Sequence, residues 1–241
     1  MKSVIPRRRK TRRNFQGTLP EEFAAGVPMD DAQRRVVFMS AALLLDYPDD
    51  RMPDILAAVG DSLGDLPVET GERLSRFLQY ATDRAVDGPS ALQQDYVATF
   101  DQRRRCSLSL SYYAVGDTRQ RGAAILAFSR QIEDLGFTLI REELPDHLCV
   151  LLESAAQSTG DSWHSVTEML ASHRDGLEVL RAALSDLDSP YAELVTCVCS
   201  ALPSVSDATA ENYRRLVRSG PPSELVGLGT PLPATGMEHQ P

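Results

Sequence analysis

Apolar residues recur at helical steps of three and four along most of this chain, and that period constrains the fold more than any other feature. Trp163, Val166, Leu170, His173, Leu177, Leu180 and Leu184 form the longest seam. Leu148, Leu151, Leu152 and Ala155 repeat it at i, i+3, i+4 and i+7. A half-buried strand needs a period of two, and none is convincing here. No internal repeat and no glycine-rich phosphate loop interrupts the pattern. The expected architecture is all-α, a compact single-domain bundle of roughly nine helices whose stripes serve packing. With 241 residues, 42% of them hydrophobic, the chain can bury the core of one domain.

Turn and cap residues divide the pattern. A first helix is expected from Asp30, as N-cap, to Asp46, with Val37, Ala41, Leu44 and Leu45 on one face. Pro48 ends it, because the residue before a proline avoids α geometry. Further helices are expected over Pro53 to Leu63 and over Pro67 to Asp87, the latter broken by Gly88-Pro89. Another follows, capped by Ser90 and carrying Leu92, Tyr96, Val97 and Phe100. Asp117 and Gln120 resemble a capping box for a helix with Ile125, Phe128, Ile132 and Leu135, stopped by Gly136. Beyond the Trp163–Leu184 seam, helices are expected from Ser189-Pro190 to before Pro203 and from Asp207 to Ser219. His173 lies within the seam and reads as a core histidine bonded to a backbone carbonyl.

Charge is divided unevenly. Lys2, Arg7, Arg8, Arg9, Lys10, Arg12 and Arg13 precede any acid, and setting them aside leaves 18 basic against 34 acidic residues. A nucleic-acid-binding domain would carry its basic face on the fold itself, so an acidic body argues against one. It suits a partner that is positive where it docks. The Thr11-Arg12-Arg13-Asn14-Phe15 stretch superficially matches a twin-arginine export signal, but the polar and acidic residues 16–22 follow where an apolar stretch is needed. The expected domain plan is a basic, disordered leader over 1–28, a helical domain over 29–219 and a mobile Pro/Gly-rich tail over 220–241. No segment reaches the ~18 apolar residues of a membrane span, so a soluble, cytoplasmic protein without stable membrane association is expected. Cys106, Cys149, Cys197 and Cys199 are too few for a disulfide scaffold of this length and include no CxxC, so neither disulfides nor a metal is expected.

The segment Glu142 to Gln157 is the richest in candidate chemistry. Pro145 suits the first turn of a helix, and Glu142, Glu143 and Asp146 suit its positive end. Helical phase puts Asp146 and Glu153 opposite the leucine face, with His147 and Ser154 on a flank. Three readings compete. In a structural one, Glu143 and Asp146 complement the helix dipole, His147 tucks against the fold and Glu153 is solvated. A small helical hydrolase would use Asp146, His147 and Glu153. Cys149 and His147 fall about 200° apart on one helix, Ser154 lies two turns from His147, and there is no G-x-S-x-G elbow. A binding surface is the third.

The residues as a text say more. Glu143-Leu144-Pro145-Asp146-His147-Leu148, followed by Leu151-Leu152-Glu153, resembles the signature of the TorD/DmsD/NarJ superfamily of all-helical chaperones for molybdenum enzymes. Three further segments resemble its NarJ branch: Leu44 to Asp49; Tyr96 to Asp101 with Arg103 to Leu108; and Tyr112-Tyr113 with Gly116 to Gly122. Val226-Gly227-Leu228 is a weaker echo. The resemblance implies an assembly chaperone, not an enzyme. It would bind the N-terminal segment of the nitrate reductase α (catalytic) subunit and assist insertion of molybdenum guanine dinucleotide, binding no cofactor stably itself. Carried over by motif, the client-binding candidates are Asp146, His147 and Glu153 with Arg103, Arg104, Asp117 and Arg119. The family commonly has Phe where this chain has Ser154, and the basic leader is not part of the shared pattern.

Overall fold

The computed structural model describes residues 19–137, 143–204, 206–208 and 211. Among them are ten α-helices and no strand: α1 Asp31–Leu44, α2 Met52–Ser62, α3 Val68–Val86, α4 Pro89–Tyr96, α5 Leu110–Val115, α6 Arg121–Asp134, α7 Leu148–Gln157, α8 Gly160–Ser172, α9 Arg174–Ser185 and α10 Tyr191–Ala201. The helix expected over Asp207 to Ser219 lies outside the described residues apart from 207, 208 and 211, as do the tail and residues 1–18.

Helix α1 is the centre of the bundle. Asp30 caps it, its carboxylate accepting from the Gln33 amide at 2.8 Å while the Gln33 side chain accepts from the Asp30 amide at 3.1 Å. This reciprocal box satisfies donors that a helix start leaves orphaned. Val37, Phe38, Ala41, Leu44 and Leu45 are buried, and the helix packs against α7 and α10. Leu148, Leu151, Leu152 and Ala155 of α7 are buried as well. An aromatic group extends the core, with Tyr191 in ring contact with Phe77, Tyr96 and Phe100.

Several boundaries differ from expectation, each for a local reason. The seam from Trp163 to Leu184 is two helices, broken at His173 (φ −100°, ψ 13°), although the apolar register continues through the break. His173 is buried and its Nδ1 lies 2.9 Å from the Met169 carbonyl oxygen, the environment read from its place in the seam. Pro89 starts α4 from a left-handed Gly88 (φ 116°), so Ser90 is not its cap. Its end widens into a π turn over Val97–Asp101, where the Gln102 amide reaches the Val97 carbonyl at 3.0 Å. Asp117 does not cap α6. Thr118 orders the preceding turn, its hydroxyl accepting from the Gln120 amide and donating to the Val115 carbonyl, and α6 starts at Arg121 with no side-chain cap.

Gly176 marks a close approach of α9 to α5. A Cβ there would lie 2.8 Å from the Tyr113 Cβ, so α9 meets α5 only without a side chain at this position.

On the far side, Asp95 of α4 joins α3 through Tyr80, which donates to it at 2.6 Å, and through the Arg84 guanidinium. The Arg84 bonds hold the Asp95 carboxyl below its usual value, against the opposing effect of burial. A lowered folded-state pKa contributes stability above the unfolded value, about 4, and loses it as pH falls through the folded one. Asp95→Asn is therefore expected to be less stable than the wild type at neutral pH, with the gap closing below about pH 4. Urea denaturation across pH 2 to 7 measures it, and a gap that widens on acidification contradicts the assignment.

Candidate functional site

Two segments distant in sequence build the site by pairing their backbones. Leu110 donates to the Asp146 carbonyl at 2.9 Å and Leu148 donates to the Leu108 carbonyl at 2.8 Å, an antiparallel bridge centred on Ser109 and His147. This pairing decides where α7 starts. Helical phase places Pro145 and Asp146 in its first turn, but His147 is extended (φ −70°, ψ 133°) and the helix begins at Leu148.

The consequence for Asp146 is a correction. It does not share a solvent face with Glu153: it is 0% exposed. Its Oδ2 accepts from the Ser111 hydroxyl at 2.5 Å and from the Ser111 amide at 3.3 Å. The carboxylate thus sits at the start of α5, where amide donors and the helix dipole favour negative charge. The expected Asp/His/Glu surface cluster does not form. Glu153 lies six residues beyond His147 on α7, roughly 9 Å along the axis, where it accepts from Gln157 at 3.1 Å.

Above the bridge lies a cavity of about 270 Å³ lined by Tyr96, Phe100, Asp101, Arg104, Ser107, Leu108, Ser109, Tyr112, Asp117, Arg121 and His147. It gathers the π turn, the Arg104–Cys106 turn, α5 and the starts of α6 and α7. One carboxylate organises its rim. Asp117 accepts from Arg121 at 3.1 Å and pairs with Arg104 at 3.4 Å, while Arg121 also donates to the Ser109 hydroxyl at 3.4 Å. Such exposed pairs contribute about 0–1 kcal/mol each, so they bias side-chain positions more than they stabilise the fold.

A second cavity, about 650 Å³, lies across the Arg104–Cys106 turn and shares Arg104 and Tyr112 with the first. Arg103, Arg105 and Tyr113 line it with Val179, Ala182, Ala183, Asp186 and Leu187 around α9. Tyr113 fixes the turn between the two, donating to the carbonyls of Ser107 at 2.8 Å and Arg105 at 3.1 Å. Burial pushes its phenol well above the ordinary value. Arg103 donates from Nε to the Ala98 carbonyl at 3.1 Å, bracing the π turn.

Of the sequence candidates, His147, Arg104 and Asp117 meet at one cavity, Arg103 lines the neighbouring one, and Arg119 and Glu153 line neither. Arg121 and Tyr112 line the site but were not among the candidates. The i, i+4 spacing of Asp117 and Arg121 and the Tyr112-Tyr113 doublet are the signals that point to them.

The geometry supports binding rather than turnover. The acid of the hydrolase reading is sealed beneath α5, away from Glu153. Burial raises the Cys106 thiol and takes Cys197 to about 12, which keeps them protonated and poorly nucleophilic. Among the described residues, no three His, Cys, Asp or Glu side chains converge as metal ligands, and no helix is long and apolar enough to cross a membrane.

Fold and site together define an all-helical bundle with two adjoining cavities. Residues 64–196 match the family model described as nitrate reductase delta subunit, a span that includes every residue of both cavities. The chain is 30% identical over 181 residues to the probable nitrate reductase molybdenum cofactor assembly chaperone NarJ of Bacillus subtilis, covering 73% of this chain and 94% of that one. It is 31% identical over 188 residues to the nitrate reductase molybdenum cofactor assembly chaperone NarJ of Escherichia coli K12, covering 76% and 77%. The nitrate reductase-like protein NarX of Mycobacterium tuberculosis H37Rv is 33% identical over 168 residues, which are 68% of this chain but 24% of NarX. The chain belongs to the nitrate reductase delta subunit family, the NarJ chaperones. That is a family of chaperones, not catalysts.

Removing the buried carboxylate leaves the Ser111 hydroxyl and amide unmet. Asp146→Ala is expected to cost about 1–3 kcal/mol, whereas Glu153→Ala should stay within about 0.5 kcal/mol of the wild type. Urea denaturation compares them, and equal stabilities contradict the structural role assigned to Asp146.

Proposed function

We propose that this protein is an assembly chaperone for a nitrate reductase. It binds the N-terminal segment of the reductase's catalytic α subunit and holds that subunit competent for insertion of molybdenum guanine dinucleotide before membrane docking. The observation that carries this reading is the convergence, around one small cavity, of segments that resemble the family signature but lie apart in sequence. A site assembled from the π turn, the arginine turn, α5, α6 and the start of α7 is a recognition surface with few moving parts.

The roles divide by depth. His147, Arg104 and Asp117 stand at the cavity and contact the client, with Arg103 bracing the wall between the two cavities. Arg119 and Glu153 lie outside both and serve as peripheral contacts. Asp146 acts from beneath, holding α5 and the Ser109–His147 bridge in register. The body apart from its basic leader is acidic overall and suits a basic amphipathic client segment whose apolar anchors supply the affinity. At the cavity itself Arg104 and Arg121 stand beside Asp101 and Asp117 and would take acidic groups of that segment. The cofactor enters the client, and this chain holds none stably. It works in the cytoplasm without nucleic acid and without stable membrane association.

A client released after loading calls for micromolar binding, about −8 kcal/mol. Calorimetry with a synthetic peptide of the α subunit's N-terminal segment tests this. His147→Ala and Arg104→Ala are expected to weaken binding about tenfold, equivalent to 1.4 kcal/mol, while the urea midpoint stays near that of the wild type. The absence of any heat of binding across a range of pH and salt contradicts the proposal.

A further inference from the structure

A further cavity, about 570 Å³, opens between α2, α3 and α4 and shares no residue with the other two. Its wall is apolar: Met52 and Leu92 are buried, Leu56 and Leu78 half-buried, and Ala57 and Ala85 exposed. Asp49 and Asp50 are the charged residues that line it. The arginines of the other two cavities have no counterpart here.

The acid extends beyond the cavity. Residues 46–65, which run from the end of α1 through α2, contain six aspartates against Arg51 as the one cation. Arg51 is taken by Asp49, at 2.7 Å. Asp50, Asp54 and Asp61 pair with no cation among the described residues. An apolar hollow open to water inside an acidic rim suits a segment with an apolar anchor flanked by positive charge.

The chain itself contains such a segment. Residues 1–18 carry Val4 and Ile5 beside seven cations and no acid, six of the cations lying between Arg7 and Arg13. The described chain begins at Leu19, which packs against the core. The stretch after it lies on α9 and α10, held by the Arg174 bond to the Ala24 carbonyl and by the Val27 bond to the Ser200 carbonyl. Helix α10 packs against α3, a wall of the cavity. Two helix spacings are about 20 Å, whereas the fourteen residues from Ile5 to Leu19 span up to about 46 Å.

We infer that the basic leader of this chain docks in cis on the groove between α2, α3 and α4, with Val4 and Ile5 in the cavity and Arg7 to Arg13 along the aspartates of residues 46–65. Tethering raises the local concentration of a segment to about millimolar, so a weak contact keeps the groove covered. A segment of another chain with the same chemistry must displace the leader to enter.

Photo-crosslinking in the full chain tests this. p-Benzoylphenylalanine replaces Ile5, and isotopically light and heavy chains are mixed so that mass spectrometry separates crosslinks within one chain from those between two. Crosslinks within one chain, to residues 48–57 and 78–85, are expected. Asp50→Lys with Asp54→Lys should lower their yield about fivefold. Salt raised from about 0.1 M to about 1 M, which shortens the screening length from about 10 Å to about 3 Å, should lower it too. A second probe, replacing the exposed Ala57 and photolysed in cells, should join residues 1–18 of its own chain. Crosslinks from Ile5 scattered over other elements, or joining light to heavy chains, overturn the inference. So does a yield indifferent to the aspartate variant, or an Ala57 probe that captures another protein instead of the leader.

Discussion

The Asp146 carboxylate on Ser111, with the backbone bridge beside it, holds together the walls of the candidate site. Ser107 to Ser111 and Leu144 to Leu148 are separated by a whole helix, α6, yet two backbone bonds and one buried carboxylate bring them into register. Everything at the cavity follows from that contact. It orients α5, which carries Tyr112 and Tyr113. It also ends the extended stretch at His147, which places the imidazole at the cavity and starts α7 with its leucines toward α1.

A buried carboxylate is costly unless its partners are supplied, and here they come from the start of a short helix. Helix α5 has six residues, too few to be stable by propensity alone. Its order depends on Asp146 at one end and on the close approach of Gly176 to Tyr113 along its side. Glu178 follows the same logic on α9, a fully buried acid that pairs with Arg174 and Arg181 and also accepts from the Ala24 amide. In both places a buried carboxylate fixes a distant segment by accepting from its backbone amide.

The helical class, the apolar faces of α1 and α7, and the environment of His173 were legible from periodicity alone, because those residues bury themselves by local rules. What escaped notice required knowledge of a distant partner. Nothing near Asp146 announces that Leu108 and Leu110 will claim its neighbours' backbone, so the helical wheel put it on a solvent face. The capping boxes show the same divide. Asp30 met its expectation, while Asp117 pairs with Arg121 and Arg104 and caps nothing. The family signature names Asp146 and His147 together, and nothing in it separates the buried Asp146 from His147, which lines the cavity.

The central claim is that this surface exists to hold one client, the nitrate reductase catalytic subunit, before it is complete. A pull-down of the tagged chain from nitrate-respiring cells tests it most directly, with the molybdenum content of the captured subunit measured alongside. The account predicts that the α subunit is recovered in a cofactor-poor form, and that the yield falls when His147 and Arg104 are both replaced by alanine. Recovery of no molybdoenzyme subunit, or equal recovery with the double variant, would contradict it.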